Sequence, residues 1–339
     1  MQLKKIGIKN VDFRTFLGLF ISIFLLWLTI WKSGLQPHNF SFTGRQLLYF
    51  GAAIVIFILT TYIQSVRTKL LWLNEATKFN DIKTYNSLII GNFYNCLLPG
   101  NLGEGVRAWH FSKKNKKTFS GSLAMVVTEK WIDAQFFAPV SLILFSLKPF
   151  VNHYLLYAIA YTSAIIFALM LAYALIRQYK FLEKRIWLFV LSFRKSGRFL
   201  FKVYGHVKSQ LDNLKQRGFL FYYFLLCAVF FCMNILQFFL LMKVAGVTEP
   251  VASLYTSFLT AMSIMIIVIV PSAPSNIGVI HYGIYSTLIL AANQYGINPD
   301  AESLKSYALF GVYLHLSYFI PEVLLGVIYV VREKKLLFG

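Results

Sequence analysis

Acidic residues and cysteines are scarce in this sequence. Of its 339 residues, 13 are Asp or Glu, against 33 Lys or Arg, and three are cysteine. Cys96, Cys227 and Cys232 have neither the spacing of a metal site nor that of a disulfide framework. No glycine-rich nucleotide-binding loop and no nucleophile elbow occurs. The sequence therefore predicts no metal, no cofactor and no recognisable catalytic motif, so we expect no enzyme.

Apolar residues dominate what is present. Hydrophobic residues make up 58% of the chain and aromatic residues 17%, far above an ordinary soluble domain. A membrane span needs about 20 apolar residues, with a range of roughly 17–25. The segments that reach this length are 15–31, 47–63, 154–176, 219–242 and 307–330, with a further span in 119–147. The basic first fifteen residues lead into a first helix without a small-residue cleavage site, which predicts an uncleaved helix.

A five-residue pattern, Pro-x-Asn-aliphatic-Gly, occurs twice in membrane-like surroundings. The first copy is Pro99–Gly103 and the second is Pro274–Gly278. Helix-breaking backbone at membrane depth is tolerated only where protein or a water-filled cavity satisfies its polar groups. Paired breaks in corresponding positions of two halves are a sequence indication of a transport site.

The distribution of Lys and Arg predicts the topology. They concentrate before the first span, in 64–86, at Lys113–Lys117, in 177–218 and after the last span. The loops 32–46, 148–153, 243–253 and 293–306 hold only five together. Positive loops mark the cytoplasmic side, so both termini are expected there, in the cell inner (plasma) membrane.

The same alternation predicts an all-α polytopic membrane protein with one transmembrane domain over 1–339. It has about six full spans plus two oppositely oriented re-entrant helical hairpins, at 87–111 and 254–292. Eight spanning helices would also place both termini inside, but they put Lys113–Lys117 and the 293–306 loop on the wrong sides.

The formal net charge of +20 needs no nucleic acid to explain it. Basic residues on the cytoplasmic face are attracted to anionic lipids by about 1 kcal/mol each. The connector 177–218 alternates eleven basic residues with apolar ones such as those of 186–190. We expect it to lie along the bilayer interface as an amphipathic helix, or to bind a specific lipid or a membrane-associated synthase.

Charged residues cluster at the first break. Gly103, Glu104 and Arg107 supply flexible backbone, a carboxylate and a guanidinium within five residues. A half-helix starting there points its positive end at an anion, and Arg107 can bind a phosphate with two parallel hydrogen bonds. Alternatively, Glu104 and Arg107 pair with each other and hold the hairpin together.

Further ionisable groups lie in apolar segments. Glu129 and Asp133 are four residues apart and share one helix face. Arg107 could pair with either carboxylate. Alternatively, both belong to a helix end that lies at the bilayer interface. Charged groups at such depth usually face the bundle interior or a cavity. The predicted substrate-binding residues are Asn101, Gly103, Glu104, Arg107, Glu129, Lys130, Asp133, Asn276, His281 and Glu322. His315 is more simply explained as a packing residue.

These segments resemble a known family. The runs Asn92–Gly100, Gly103–Arg107 and Glu129–Asp133 are similar to those of the lysylphosphatidylglycerol synthase transmembrane-region family, which is also described as flippase-like. Pro274–Gly283 and the helix around His315 and Pro321 extend the resemblance over essentially the whole chain. The resemblance implies a stand-alone lipid-translocating membrane part, because no 150-residue polar segment for an aminoacyl-transferase domain is present.

The sequence also departs from the family. Ser275 and Asn276 stand where members often have a Gly-Gly pair, and His281 stands near the place of a Glu. Lys130 replaces an expected Arg. The acidic partner in the second half is therefore unassigned.

Three functions are compatible with these observations. The first is a flippase that moves an anionic lipid headgroup, of phospholipid, aminoacyl-phospholipid or polyprenyl-phosphate type, through a cavity between the two hairpins. The second is an intramembrane enzyme with acid–base carboxylates. The third is a membrane scaffold that holds a lipid- or glycan-modifying synthase through 177–218.

Overall fold

The fold was examined in a computed structural model, which describes residues 13–40, 42–72, 81–147, 165, 168, 171, 172, 175, 178–216, 218–268 and 272–333. Over these residues the chain forms helices and no strand. The helices are α1 (Phe13–Ser33), α2 (Gly44–Leu70), α3 (Asp81–Leu97), α4 (Gly103–Lys114), α5 (Phe119–Leu147), α6 (Lys180–Leu191), α7 (Arg194–Gln216), α8 (Phe219–Val244), α9 (Leu254–Ile267), α10 (Val279–Gln294) and α11 (Ala301–Arg332). The predicted all-α class is confirmed.

Three helices in this part of the chain are long and apolar enough to cross a membrane, namely α2, α8 and α11. Shorter apolar helices cover Gly18–Ser33 and Leu254–Met265. The predicted segments 15–31, 47–63, 119–147, 219–242 and 307–330 each lie within a helix. Most of the predicted span 154–176 lies outside the described residues, as do 1–12 and 334–339. The number of spans therefore stays a prediction.

The chain divides into two compact units. The first unit comprises Met1–Gly51, Tyr94–Leu102 and Phe238–Ile320. In it, α10 packs against both α1 and α9. Helix α11 begins after Asp300, whose carboxylate accepts a hydrogen bond from the Ser303 backbone N–H at 2.9 Å. Hydrogen bonds from the Ser303 side chain and backbone lower the pKa of Asp300, as expected for an acidic residue at a helix start.

The second unit comprises Ala52–Phe93, Gly103–Gln237 and Pro321–Gly339. Its long helix α5 packs against α4 and α7. The buried core of this unit is Leu71, Ala108, Phe111, Met125, Val126, Ile132, Leu214, Tyr223 and Cys227. Since these residues come from α4, α5, α7 and α8 and from Leu71 just after α2, the core fixes the helices that carry Arg107 and Glu129 against one another.

The connector 177–218 contains two helices rather than one. Helices α6 and α7 pack against each other, and the turn between them has Arg194 in the left-handed region, with φ 52°. Glu183 on α6 accepts hydrogen bonds from Tyr204, at 3.0 Å, and from Lys208, at 3.4 Å, on α7. The Trp187 ring lies 4.7 Å from that of Tyr204. The amphipathic connector is thus a compact helical pair, and its contact with lipid stays a prediction.

The two sequence breaks share a backbone conformation as far as the asparagine and differ at the next residue, where ψ is −18° at Leu102 and 142° at Ile277. The residue before each proline is extended, Leu98 with ψ 140° and Ala273 with ψ 164°, because proline excludes the helical region from its predecessor. The next two positions then turn left-handed in both copies: φ is 67° and 57° at Gly100 and Asn101, and 58° and 55° at Ser275 and Asn276. Asn tolerates this region better than most side chains, which explains the shared asparagine. The two breaks also contact each other within the first unit.

Helices on either side of each break run antiparallel. Around the first break, Ser87 contacts His110, and a Cβ on Gly91 would lie 2.6 Å from the Arg107 Cβ. Around the second, Ser253 reaches Tyr295 at 3.5 Å, and a Cβ on Gly283 would meet the Ile267 side chain. Along each pair of contacting helices, the residue numbers rise on one helix and fall on the other. Each pair is therefore a helical hairpin. Whether the hairpins are re-entrant in the bilayer stays a prediction.

Candidate functional site

The centre of the first site is a buried ion pair in the second unit. Arg107 on α4 and Glu129 on α5 have side chains only 1% and 2% exposed. Arg107 Nη2 donates a hydrogen bond to Glu129 Oε1 at 2.9 Å, and Nη1 lies 2.8 Å from Oε2. Oε2 nevertheless accepts no hydrogen bond from the described residues, so this second contact is electrostatic. Of the pairings that the sequence left open for Arg107, Glu129 is the buried partner.

Helix α2 contributes two residues that the sequence analysis missed. Thr68 Oγ1 accepts a hydrogen bond from Arg107 Nη2 at 2.7 Å and contacts Glu129 Oε1. Arg67 forms an ion pair with Asp133, and its guanidinium lies 5.0 Å from the centroid of the Tyr223 ring. The sequence places Arg67 in a loop over 64–86; this is wrong, because α2 continues to Leu70. The cytoplasmic side of this end of α2 stays a prediction.

A sequence signal for this face of α2 did exist. Thr61, Ser65 and Thr68 are spaced by four and three residues, which places them on one helix face. All three are buried in the structure. A polar stripe in an otherwise apolar helix points to a polar partner within the bundle. Thr68 contacts the Arg107–Glu129 pair, whereas Thr61 and Ser65 donate to backbone carbonyls of α2 itself.

The outer part of the same network is more open. Glu104 lies 3.3 Å from Arg107 Nη1 and 3.4 Å from Lys130 Nζ. The Lys130 side chain is 59% exposed and that of Glu104 is 22% exposed. We call Arg67, Glu104, Arg107, Glu129, Lys130 and Asp133 the charge network. Its three cations and three anions balance, so it carries no formal net charge.

The charge network lies at the first hairpin, where the backbones of α3 and α4 approach closely. Gly91 on α3 lies against Arg107 and against the carbonyl oxygen of Gly103, 3.2 Å from where a Cβ would be. Gly103 itself is buried at the start of α4. The glycines at this break therefore bring the two helices together. Of the site predicted at the first break, Gly103 serves the packing and Glu104 and Arg107 belong to the charge network.

A separate polar cluster lies at the second break, in the first unit. The imidazole rings of His281 on α10 and His315 on α11 are 5.0 Å apart, centroid to centroid. The backbone N–H of Gly278 donates to His281 Nδ1 at 3.3 Å. His315 contacts Ser275 Oγ through Nε2 at 3.4 Å and Tyr318 OH through Nδ1 at 2.8 Å. The structure thus brings together two histidines that lie far apart in the sequence.

A hydrogen bond joins the second break to α1. Ser22 Oγ accepts a hydrogen bond from the Ala273 backbone N–H at 2.8 Å. Ser272 Oγ donates to Asn276 Oδ1 at 2.5 Å. Gly278 has φ 82°, and a Cβ there would collide with the backbone of Ser22. The backbone groups freed by the break are therefore partly satisfied by protein side chains, as non-helical backbone at membrane depth requires.

The remaining predicted residues occupy different places. Asn101 is exposed in the first break, which contacts the second break in the first unit. Glu322 follows Pro321 in α11, in the second unit, where it is half-buried and has interactions of its own. Within the residues covered by the structure, no group of three His, Cys, Asp or Glu side chains could hold a metal ion.

Apolar helices of spanning length, proline breaks and ionisable groups held in buried pairs define a multi-pass helical membrane protein. Residues 15–310 match the model of the family described as the lysylphosphatidylglycerol synthase TM region. The match covers most of the chain, which belongs to this family, as its residues predicted. Membership relates the protein to lipid modification or translocation. No curated protein and no solved structure matches the chain.

Proposed function

We propose that this protein is a lipid flippase that moves an anionic headgroup past the charge network. The observation that carries the proposal is the pair of exposed Lys130 with half-buried Glu104 beside the buried Arg107–Glu129 pair. Family membership supports a lipid substrate. The distribution of Lys and Arg supports a plasma-membrane protein with both termini cytoplasmic.

The two pairs have different roles in this proposal. Arg107 is enclosed and bonded to Glu129, Thr68 and Glu104, so it holds α2, α4 and α5 together rather than binding substrate directly. An exposed ion pair contributes only about 0–1 kcal/mol. A headgroup phosphate can therefore replace Glu104 on Lys130 at little expense in free energy, while the buried pair stays intact.

The test is headgroup movement in proteoliposomes that contain the full chain. Three labelled lipids are compared: an anionic phospholipid, a polyprenyl phosphate and zwitterionic phosphatidylcholine as reference. Inner-leaflet label that becomes accessible to a membrane-impermeant quencher reports translocation. Because one charge-assisted hydrogen bond contributes roughly 1.5–3 kcal/mol, Lys130→Gln should slow movement of the anionic lipid by about tenfold or more.

Lys208→Gln is the matched control. Lys208 pairs with Glu183 at 3.4 Å, the same separation as Lys130 and Glu104, but it lies in the α6–α7 connector. Retained movement in Lys208→Gln with slowed movement in Lys130→Gln supports the flippase. If the wild-type protein moves none of the lipids, the flippase is refuted. A defect in Lys208→Gln alone favours the scaffold, and chemical conversion of a lipid favours the enzyme.

A further inference from the structure

His281, just after the second break, accepts a hydrogen bond from the backbone, and this bond depends on its protonation state. Gly278 donates its N–H to His281 Nδ1, so Nδ1 accepts and the neutral ring carries its proton on Nε2. The His281 side chain is buried, with 7% exposure. A protonated imidazole has N–H groups on both nitrogens and accepts no hydrogen bond. Protonation of His281 therefore removes the hydrogen bond to Gly278.

A chain of hydrogen-bonding groups lies beside this histidine. His315 contacts a hydroxyl at each ring nitrogen, Ser275 on one side and Tyr318 on the other. Either neutral tautomer of His315 satisfies both contacts, because each hydroxyl can donate or accept. The Ser275–His315–Tyr318 chain can thus exchange protons by switching tautomer, and the His315 ring packs against that of His281 without a hydrogen bond to it among the described residues.

The surroundings of His281 hold no counter-charge in contact with the ring. Charged and titratable groups on the helices packed around it are Arg14 and Lys32 on α1, Tyr255 on α9, Tyr282 and Tyr285 on α10, and Glu302, Lys305, Tyr307, Tyr313, His315, Tyr318, Glu322, Tyr329 and Arg332 on α11. Of these, His315 is the one in contact with the His281 ring within the described chain. Lys305 precedes His315 by ten residues, about 15 Å of helix.

We propose that His281 is a proton-binding residue that opens the second break when it is protonated. The charged imidazole lies at the N-terminus of α10, where the helix dipole is positive and disfavours a cation. The Gly278 N–H then loses its acceptor, which removes one of the hydrogen bonds that hold the break closed, while those of Ala273 to Ser22 and of Ser272 to Asn276 remain. As the pH falls through the titration of His281, the closed break is lost; it is present while the ring is neutral.

This site differs from the carboxylates of the charge network. Glu129, Asp133 and Glu104 each have a cationic partner. Among the described residues, the ring of His281 contacts no anionic side chain. We call the opening of the second break on protonation of His281 the switch. Its role as the coupling step of transport rests on the proposed function. The conformational change itself can be measured without transport.

The test is hydrogen–deuterium exchange of the full chain in nanodiscs, followed in the peptide over 272–282. Exchange is compared between about pH 8 and pH 4, a range wide enough to include a buried histidine without a counter-charge, and is corrected for the intrinsic pH dependence of exchange. Loss of one hydrogen bond should raise the opening equilibrium by about fivefold in acid. His281→Asn keeps an acceptor oxygen but cannot titrate, so it should remain protected at both pH values.

Two controls accompany this variant. His206→Asn changes a half-buried histidine on α7 and should respond to pH like the wild type. His281→Gln is a second non-titrating variant if His281→Asn does not fold. A pH response that persists in either His281 variant overturns the proposal.

The lipid assay separates the two proposals. A His281-dependent opening without lipid movement supports the switch and refutes the flippase. Lipid movement that occurs without a His281-dependent opening refutes the switch and leaves the flippase standing.

Discussion

Removing the guanidinium of Arg107 should strongly destabilise the protein. In Arg107→Met the alkyl stem is retained, but Glu129 stays buried at 2% exposure without its 2.9 Å partner. Thr68 also loses the hydrogen bond that it accepts at 2.7 Å. Breaking a buried ion pair by removing one partner costs about 3–5 kcal/mol. We expect the free energy of unfolding to fall by that amount.

We also expect that neutralising Glu129 restores most of the stability that Arg107→Met removes. In Arg107→Met/Glu129→Gln no unpaired charge is buried, and replacing a whole buried pair is often close to neutral. A double-mutant cycle should therefore give a coupling energy of about 2–3 kcal/mol. The half-buried pair Lys208–Glu183, which is more open than Arg107–Glu129, is the control, with an expected coupling below about 1 kcal/mol.

The assay is reversible unfolding in mixed micelles with increasing sodium dodecyl sulfate, followed by circular dichroism. If Arg107→Met unfolds within about 0.5 kcal/mol of the wild type, a change typical of an ordinary surface position, the buried-pair argument is refuted. A double variant as unstable as the sum of the single variants would show that the two side chains act independently.

Two further changes test the backbone of the hairpins. Gly91→Ala places a Cβ 2.6 Å from the Arg107 Cβ and should destabilise by about 1–3 kcal/mol through overpacking; Gly51→Ala, which meets nothing within 4 Å, should be neutral or stabilising in the same unfolding assay. Asn276→Val puts a branched side chain at φ 55° and should cost about 1–2 kcal/mol, more than Asn276→Gly; equal losses in the two variants would contradict a strained left-handed turn.

The breaks were predictable from the sequence because their cause is local. Pro99 and Pro274 each force the preceding residue out of the helical region, and the asparagine that follows accepts a left-handed backbone. The repeat of the motif therefore corresponded to a repeat of the backbone geometry. The antiparallel pairing of helices around each break follows from the short connection.

The membership of the charge network was only partly predictable. Glu104, Arg107, Glu129 and Asp133 were recognisable because ionisable groups in apolar segments are rare. Arg67 was not, since a basic residue near the end of a span looks the same whether it faces lipid headgroups or the bundle interior. The rotation of α2 about its axis decides which of these Arg67 faces, and that rotation depends on packing against α5.

Composition, apolar length and proline positions by themselves determined that this chain is a helical membrane protein with two broken hairpins. Those features act within a few residues or through the sum of the chain's hydrophobicity, so no tertiary contact is needed to read them. Only the tertiary structure decided that Arg107 takes Glu129 as its buried partner and that His281 meets His315. Both contacts join different helices, and their formation depends on how those helices rotate and pack.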